Sequence, residues 1–285
     1  MNLKKAILFM VLSTIAFTGM NGLLKFLTNY SAYQLVFFRA FGSLFFTFGF
    51  LLSRGIPILG KNRKLLITRG VFGSTSMLLF FMAVHYMPIG SAVALRYIAP
   101  IFAAVFAILI LKENVRPIQW LFFVLSFLGV LVLKGFDDSI PPIGLILVLL
   151  ASVFSGLVYI VIRKIGPSEH PVVIVNYFMC IAFIVGGVLS IFNWKTPTLI
   201  DLLLLLSLGI FGYFGQLFMT KAFQMGETNV IAPIKYVEVV FAIIVGVGFL
   251  GETYTIWSFV GMAMIISGLL LNLWFKQWLT KRKKT

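Results

Sequence analysis

Four basic residues lie inside long apolar stretches of this sequence: Arg39, Arg96, Lys221 and Lys235. A guanidinium remains protonated in proteins, and burying such a charge in lipid costs at least about 2.5–3.5 kcal/mol on membrane-insertion scales. Arg39 and Arg96 each lie about 10 Å from the nearer end of their stretch, at about 1.5 Å per helical residue. We expect both to face a wet cavity, with anchoring to backbone carbonyls as the alternative. Lys221 is expected to reach the nearer membrane surface, and for Lys235 both interpretations stay open.

Glu238 is the only acidic residue well inside an apolar stretch. It follows Lys235 by three positions, so the two side chains share one helical face and can form an ion pair. A proton site is the alternative, because a low-dielectric cavity favours the protonated form of a carboxylic acid. Glu238 is therefore the candidate residue for proton coupling.

Other polar side chains could line a path between helices. The candidate substrate-binding residues are Arg39, Arg96, Tyr97, Asn176, Tyr177, Tyr213, Gln216, Lys235, Tyr236 and Glu238. For any single tyrosine the alternative is packing, since aromatic residues make up 16% of the chain and are common in membrane proteins. Pro100 and Pro233 each remove a backbone hydrogen bond beside a buried charge, so we expect them to act as hinges.

The elements that position these residues are transmembrane helices. Hydrophobic residues make up 61% of the chain and charged residues 11%, against roughly 45–50% and 25% in a soluble domain. A helix needs about 20 mostly apolar residues to cross the hydrocarbon layer. Ten segments meet this requirement: 6–27, 32–53, 66–87, 89–111, 117–134, 143–162, 171–192, 199–223, 230–250 and 255–275. The predicted fold class is an all-α integral membrane protein with ten transmembrane helices.

The formal net charge of +15 could indicate nucleic-acid binding, but the basic residues are distributed as in a membrane protein. Sixteen of the 23 Lys and Arg residues, Arg69 among them, fall on one side if the N-terminus is cytoplasmic, and only Lys25, Lys134 and Lys195 fall near the other. Such a bias sets membrane orientation. We expect a multi-pass protein of the cell membrane, the inner membrane of a bacterium, with both termini cytoplasmic. Nucleic acid is not an expected partner.

The sequence aligns with itself, without a gap, when it is shifted by 139 residues. Arg96-Tyr97 falls on Lys235-Tyr236, and Glu113 falls on Glu252. Further matches are Lys25 with Lys164, Gly70 with Gly209, and Gly73 with Gly212; the glycines would let helices approach closely. Each half has five crossings, an odd number, so the second half must be inverted, as in many secondary transporters. We place the first repeat at residues 1–136 and the second at 137–285.

Two related segments carry the most distinctive pattern, "AVHYMPIGSAVALRYIAPIFAAVFAILILKENV" and "AFQMGETNVIAPIKYVEVVFAIIVGVGFLGETY". Each has a small residue, a short polar break, a span with a proline in its first half, and a closing Lys-Glu or Gly-Glu. Together with "FFRA" at 37–40, they resemble the EamA family of the drug/metabolite transporter superfamily over almost the whole chain. The resemblance implies a ten-helix transporter built from two inverted repeats. It leaves the substrate open, because the superfamily carries amino acids, other metabolites, drugs, nucleotide sugars and S-adenosylmethionine.

We expect a secondary active transporter, an exporter or permease, that works by alternating access. Several bases against one acid within the membrane favour a small organic metabolite with a carboxylate, such as an amino acid, driven by proton coupling or exchange. The alternative is a cationic or amphipathic substrate with Glu238 as its counter-ion; a channel or lipid scramblase is more remote. An enzyme is not expected, since paired acids, a His cluster and an activated nucleophile are missing from the sequence. No cofactor or metal is expected; the partners are the substrate and the lipid bilayer, and a homodimer stays open.

Overall fold

The computed structural model describes residues 3–111, 116–135, 140–165, 168–225 and 232–282. Within these ranges the regular secondary structure is helical, as predicted. The α-helices are α1 (Leu3–Phe26), α2 (Ala32–Ser53), α3 (Arg63–Val84), α4 (Ile89–Arg96), α5 (Ala99–Leu111), α6 (Pro117–Gly135), α7 (Pro142–Ile165), α8 (Pro171–Ser190), α9 (Leu199–Met225), α10 (Val237–Leu250) and α11 (Ile256–Arg282). Short 3-10 helices cover Ile191–Asn193 and Ala232–Tyr236.

Local sequence signals fix where several helices begin. The side chains of Ser31 and Asn62 each accept a hydrogen bond from a backbone N–H in the first turn of α2 and α3, which satisfies a group that the helix itself leaves unpaired. Pro117, Pro142 and Pro171 are the first residues of α6, α7 and α8. Proline suits this position because its missing N–H would have no partner within the helix.

The described residues contain eight apolar helical stretches long enough to cross a membrane, and a shorter one at Pro117–Leu133. The stretch Ile89–Ile110 joins α4 and α5. The remaining predicted crossing corresponds to the 3-10 helix Ala232–Tyr236 followed by α10. The chain is therefore a multi-pass membrane protein with the predicted ten-helix architecture.

Two predicted spans, 89–111 and 230–250, contain an interruption near the prolines that were expected to weaken them. The first breaks between Arg96 and Ala99, and the described part of the second is 3-10 over Ala232–Tyr236 and α-helical from Val237. Pro100 has no N–H to donate to the Arg96 carbonyl four residues earlier. The Ser152 hydroxyl, whose shortest hydrogen bond is to the Val148 carbonyl of its own helix at 2.8 Å, lies 3.3 and 3.4 Å from the Leu95 and Arg96 carbonyl oxygens at this open end of α4.

The helix bounds reproduce the sequence repeat. Helices α1 and α7 are offset by 139 residues at both ends, α2 and α8 at their first residue, and α5 and α10 at their last. The packing is symmetric as well, because α1 packs against α9 while α7 packs against α3. Exchanging the halves converts one contact into the other, as two inverted repeats require. The boundary predicted between residues 136 and 137 stays a prediction, since residues 136–139 lie outside the described ranges.

Consecutive crossings alternate in direction, so the molecule has two faces. We call the face where α1, α3, α6 and α8 begin the N-terminal face, and the opposite one the far face. Their assignment to the cytoplasm and the exterior stays a prediction.

Candidate functional site

A cavity lies between the two repeats, beside the breaks in the interrupted spans. The volume in which the centre of a water molecule fits is about 60 Å³, enough for a few waters at roughly 10–15 Å³ each. Helices of both repeats line it. Six of the residues singled out from the sequence lie in its wall: Arg39, Arg96, Tyr97, Gln216, Lys235 and Glu238.

Glu238 is the buried carboxylate of this cavity, with 4% of its surface exposed. Its Oε2 accepts a hydrogen bond from the Tyr97 hydroxyl at 2.7 Å, and its Oε1 accepts one from Asn21 Nδ2 at 3.2 Å. The Tyr97 hydroxyl also lies 3.1 Å from the carbonyl oxygen of Lys235. Asn21 and Tyr97 belong to the first repeat, so Glu238 connects the two halves through hydrogen bonds.

Arg39 is buried in α2 and is held by soft contacts. Its Nε donates to the Met20 sulfur at 3.1 Å, its Nη1 contacts the Met77 sulfur, and its guanidinium lies 5.6 Å from the centre of the Phe81 ring. A thioether is a weak hydrogen-bond acceptor. The charge of Arg39 is therefore surrounded by polarisable groups, and none of these contacts is to an anion.

Arg96 and Lys235 occupy equivalent positions in the two repeats, and both lie against aromatic rings. The Arg96 guanidinium is 4.4 Å from the centre of the Phe80 ring. The Lys235 ammonium is 5.7 Å from the Tyr97 ring centre and 5.8 Å from that of Phe17. Cation–π contacts of this kind contribute roughly 0.5–2 kcal/mol, and they leave the donors of the cation free to approach a ligand.

The bases of the cavity form no ion pair with a carboxylate of the described residues. Within those residues, the pair found at 4 Å or less is Lys25 with Glu252 at 3.7 Å. The ion pair between Lys235 and Glu238, one of the two alternatives from their spacing, is not formed. Three cations and one carboxylate give the cavity a formal charge of +2.

Four further candidates lie outside the lining of the cavity. Asn176 accepts a hydrogen bond from the Thr47 hydroxyl at 2.8 Å, and Tyr177 donates to the carbonyl oxygen of Leu59 at 2.8 Å. Tyr213 stacks on Phe46, with 4.9 Å between ring centres, and lines a separate apolar pocket. Tyr236 packs edge-on against Tyr97 at 5.1 Å. These contacts connect different segments of the chain, and a substrate role for the four residues stays a prediction.

The hinge candidates lie at the interruptions. Pro100 is the second residue of α5, and Pro233 is the second residue of the 3-10 helix Ala232–Tyr236.

Lys221 is exposed near the N-terminal face, 5.6 Å from the Phe9 ring centre. Arg69, counted by sequence among the basic residues at that face, is instead buried, with its guanidinium 4.4 Å from the Phe178 ring centre.

Several cavity residues were not among the sequence candidates. They include Phe17, Met20, Met77, Phe81, Ser155 and Tyr159. The apolar ones carry no signal that separates them from packing residues. The serine and the tyrosine lie four positions apart on α7, on one helical face, and this spacing was the available indication.

A family model described as the EamA-like transporter family matches residues 4–134 and 142–274. The chain is 31% identical over 272 residues to the pseudopaline exporter CntI of Pseudomonas aeruginosa, covering 93% of this chain and 92% of that protein. It is 27% identical over 289 residues to human solute carrier family 35 member G1, covering 94% and 79% of the two chains. It is also 27% identical over 240 residues to an S-adenosylmethionine uptake transporter of Rickettsia conorii, covering 82% and 80%.

A solved crystal structure has the same fold. The superposition has a TM-score of 0.67 and covers 95% of this chain and 97% of the other, at 16% sequence identity. At this identity the likeness concerns the fold alone.

Proposed function

This chain belongs to the EamA-like transporter family, and from that premise we propose that it is a secondary active transporter of a small organic metabolite with a carboxylate, such as an amino acid. The direction proposed is export, and the mechanism is alternating access at the interface of the two inverted repeats. In such transporters the substrate lies near the membrane midplane where the repeats meet.

The observation that carries the substrate class is the charge of the cavity. Arg39, Arg96 and Lys235 line it together, while the carboxylate of Glu238 already accepts hydrogen bonds from Asn21 and Tyr97. A substrate carboxylate would give these cations a negatively charged hydrogen-bond acceptor, where otherwise only water is available to them. Hydrogen bonds to charged groups contribute about 1.5–3 kcal/mol each, so one or two of them would give useful affinity for a small molecule.

The names of two relatives support a metabolite as cargo. One is an exporter of pseudopaline and the other an uptake transporter of S-adenosylmethionine. S-adenosylmethionine also carries a sulfonium cation, and Glu238 is a buried carboxylate in the same cavity. The second candidate function is therefore transport of a cationic or amphipathic substrate with Glu238 as its counter-ion.

The location proposed is the cell membrane with the N-terminal face towards the cytoplasm. The basic residues support it, because Arg54, Arg116 and Lys164 are exposed at that face, and Lys and Arg are enriched in cytoplasmic loops.

The test is thermal unfolding of the detergent-purified protein against amino acids, other carboxylates and organic cations. A ligand that binds only the folded state raises its apparent stability. We expect carboxylates to stabilise the protein, and Arg96→Gln and Arg39→Gln to weaken the apparent affinity about tenfold or more, since each loses a charged hydrogen-bond donor. The matched control is Arg54→Gln at the end of α2, which replaces an exposed arginine and should leave the affinity unchanged.

Other outcomes decide between the candidates. If only cations stabilise the protein, and this stabilisation is lost in Glu238→Gln and kept in Arg96→Gln, the result would favour a cationic substrate over a carboxylate. If a carboxylate stabilises Arg39→Gln and Arg96→Gln to the same extent as the unchanged protein, the assignment of the cavity as its binding site would be contradicted. Flux through proteoliposomes that does not saturate with substrate would indicate a channel or a scramblase.

A further inference from the structure

A second charged cluster lies at the far face, apart from the cavity residues. Its centre is Glu252, in the loop between α10 and α11, whose carboxylate oxygens lie 3.0 and 2.9 Å from the backbone nitrogen of Ile89. Oε2 also accepts a hydrogen bond from the Tyr254 hydroxyl at 2.7 Å, and that hydroxyl accepts one from the Gly90 N–H at 3.0 Å. Ile89 and Gly90 are the first residues of α4, so a loop of the second repeat holds the beginning of a helix of the first.

Lys25 connects this cluster to α1 and α3. Its ammonium lies 3.7 Å from Glu252 Oε1, and it donates hydrogen bonds to the carbonyl oxygens of Val84 at 2.9 Å and Met87 at 2.8 Å. The side chain of Lys25 is 21% exposed and that of Glu252 is 7% exposed. Salt therefore screens this pair less than it would screen a surface pair.

The backbone of the second repeat is built for these contacts. Gly251 ends α10 with a φ of 64°, a left-handed conformation that glycine adopts without strain, and the Glu252 N–H then donates to the Gly246 carbonyl at 2.9 Å. Glycine is also needed beside the Tyr254 hydroxyl. A Cβ atom on Gly246 would lie 2.8 Å from this oxygen, and a Cβ atom on Gly90 would lie 2.9 Å from it.

The cluster lies directly above one end of the cavity. Phe81 and Val93 line the cavity, one helical turn before Val84 and one after Ile89 respectively. Both are buried, with 1% and 2% of their surfaces exposed. Tyr159 lines the opposite end of the cavity, about 9 Å from the end of α7 at the N-terminal face. The cluster therefore lies over the far-face end of the cavity, where the lining is buried.

We infer that Lys25, Glu252 and Tyr254 form a latch that closes the far face of the transporter by holding the beginning of α4, the helix that ends in Arg96. This inference rests on the alternating access of the proposed function. The latch residues are positioning residues, because they act on the cavity through α4 and do not line it. Release of the Ile89 N–H lets α4 move away from α10 and opens the cavity to the far face.

In sequence, the first repeat matches this set only in part. The offset of 139 places Glu113 opposite Glu252 and Lys164 opposite Lys25, but Val115 opposite Tyr254 and Ala107 opposite Gly246. Of the charged pair, Lys164 is exposed, and the tyrosine has no counterpart in the sequence of the first repeat.

The test is the sidedness of cysteine modification, which needs no substrate. Cys180 is replaced by Ala, and Val93→Cys places a thiol of similar size at the far-face end of the cavity. A charged, membrane-impermeant methanethiosulfonate reagent is then applied to vesicles of either orientation. With the latch intact we expect modification from the N-terminal face and slow modification from the far face.

In Lys25→Met and in Glu252→Gln we expect the far-face rate to rise about tenfold or more, because each loses a charge-assisted contact. Lys25→Arg retains the charge and should restore most of the protection. Lys195→Met removes a cation of the same face that lies 5.3 Å from the Tyr30 ring, outside the latch, and should leave both rates unchanged. If Lys25 and Glu252 only stabilised the fold, their replacement would change the yield of protein but not the ratio of the labelling rates from the two faces.

If Lys25→Met or Glu252→Gln does not give a monodisperse protein, Tyr254→Phe carries the test, because it deletes only the hydroxyl and should raise the far-face rate several-fold. Equal far-face rates with and without the latch, or the same increase in Lys195→Met, would overturn the inference. Failure of every carboxylate to stabilise the protein would contradict the proposed substrate class and leave the labelling result intact.

Discussion

Arg39 shows how the protein holds a permanent charge within the membrane without an internal counter-ion. Two thioether sulfurs and the face of Phe81 surround the guanidinium. These groups interact with a cation more weakly than a carboxylate does. In the proposed mechanism, a stronger partner would neutralise Arg39 permanently and prevent it from binding a substrate carboxylate. Its weak partners leave the strongest interaction of the guanidinium available to the proposed substrate.

Glu238 sets the formal charge of the cavity, because replacing its carboxylate by an amide raises that charge from +2 to +3. A unit charge about 10 Å away at an effective dielectric constant of about 20 is worth about 1.7 kcal/mol. We therefore expect Glu238→Gln to bind a carboxylate about tenfold more tightly than the unchanged protein, as measured by thermal stabilisation. A role of Glu238 in proton coupling stays a prediction.

The control is Asp201→Asn at the far face, which changes a carboxylate that accepts a hydrogen bond from Tyr30 and lies outside the cavity lining. It should leave the affinity for the carboxylate unchanged. An affinity of Glu238→Gln equal to that of the unchanged protein would contradict a cavity in which Glu238 and the substrate carboxylate repel each other.

The sequence identified the charged residues of the cavity but not their partners. Arg39, Arg96, Lys235 and Glu238 were visible because a charge inside an apolar segment is rare and costly. The sulfur of Met77, 38 residues from Arg39 in the chain, carries no such signal. Nor could spacing decide whether Lys235 pairs with Glu238, because the bonds that Glu238 accepts come from Asn21 and Tyr97, far away in sequence.

At the scale of the elements, the interrupted spans create the cavity. A continuous helix from 89 to 111 would satisfy its own carbonyl groups, whereas the break leaves the end of α4 to interact with Ser152 of α7. The prolines indicated weakness at these positions. Pro100 accounts for a break near Arg96, but the hydrogen bonds that Tyr97 then makes with Lys235 and Glu238 of the other repeat could not be read from local sequence.

Close contact between α2 and α9 depends on glycine. A Cβ atom on Gly42 would lie 2.9 Å from the Gly209 Cα and 3.0 Å from the Leu206 carbonyl oxygen, whereas one on Gly49 would meet nothing within 4 Å. Gly42→Ala should therefore push the two helices apart and destabilise the protein by about 1–3 kcal/mol. The measurement is the midpoint of thermal unfolding in detergent.

Gly49→Ala is the matched control, since it makes the same change on the same helix at an exposed position. Its midpoint should stay the same or rise, because alanine favours a helix by up to about 1 kcal/mol over glycine. Equal midpoints for the two variants would show that α2 and α9 do not need the glycine contact. The repeat predicted that Gly209 allows close approach of helices, but no pattern in the sequence identifies its partner Gly42.

At the scale of the whole molecule, the repeats form one structure and not two domains. Helix α1 packs against α9, α3 against α7, α2 against α8, and α6 against α11. Each of these pairs takes one helix from either half. The offset of 139 predicted two repeats because it holds over many positions, but the sequence of one repeat does not reveal that its packing partners lie in the other.

This arrangement predicts how the two halves behave as separate chains, at the predicted boundary between residues 136 and 137. Residues 1–136 alone lack the packing partners of α1, α2, α3 and α6. The bias of the basic residues predicts one orientation for each half, so we do not expect two copies of a half to replace the inverted pair. We expect each half alone to be aggregated on size-exclusion chromatography. Coexpression should give a monodisperse complex that carboxylates stabilise as they stabilise the intact chain. A monodisperse, thermally cooperative first half would contradict this view, because its helices would then have to pack with one another and not across the repeat interface.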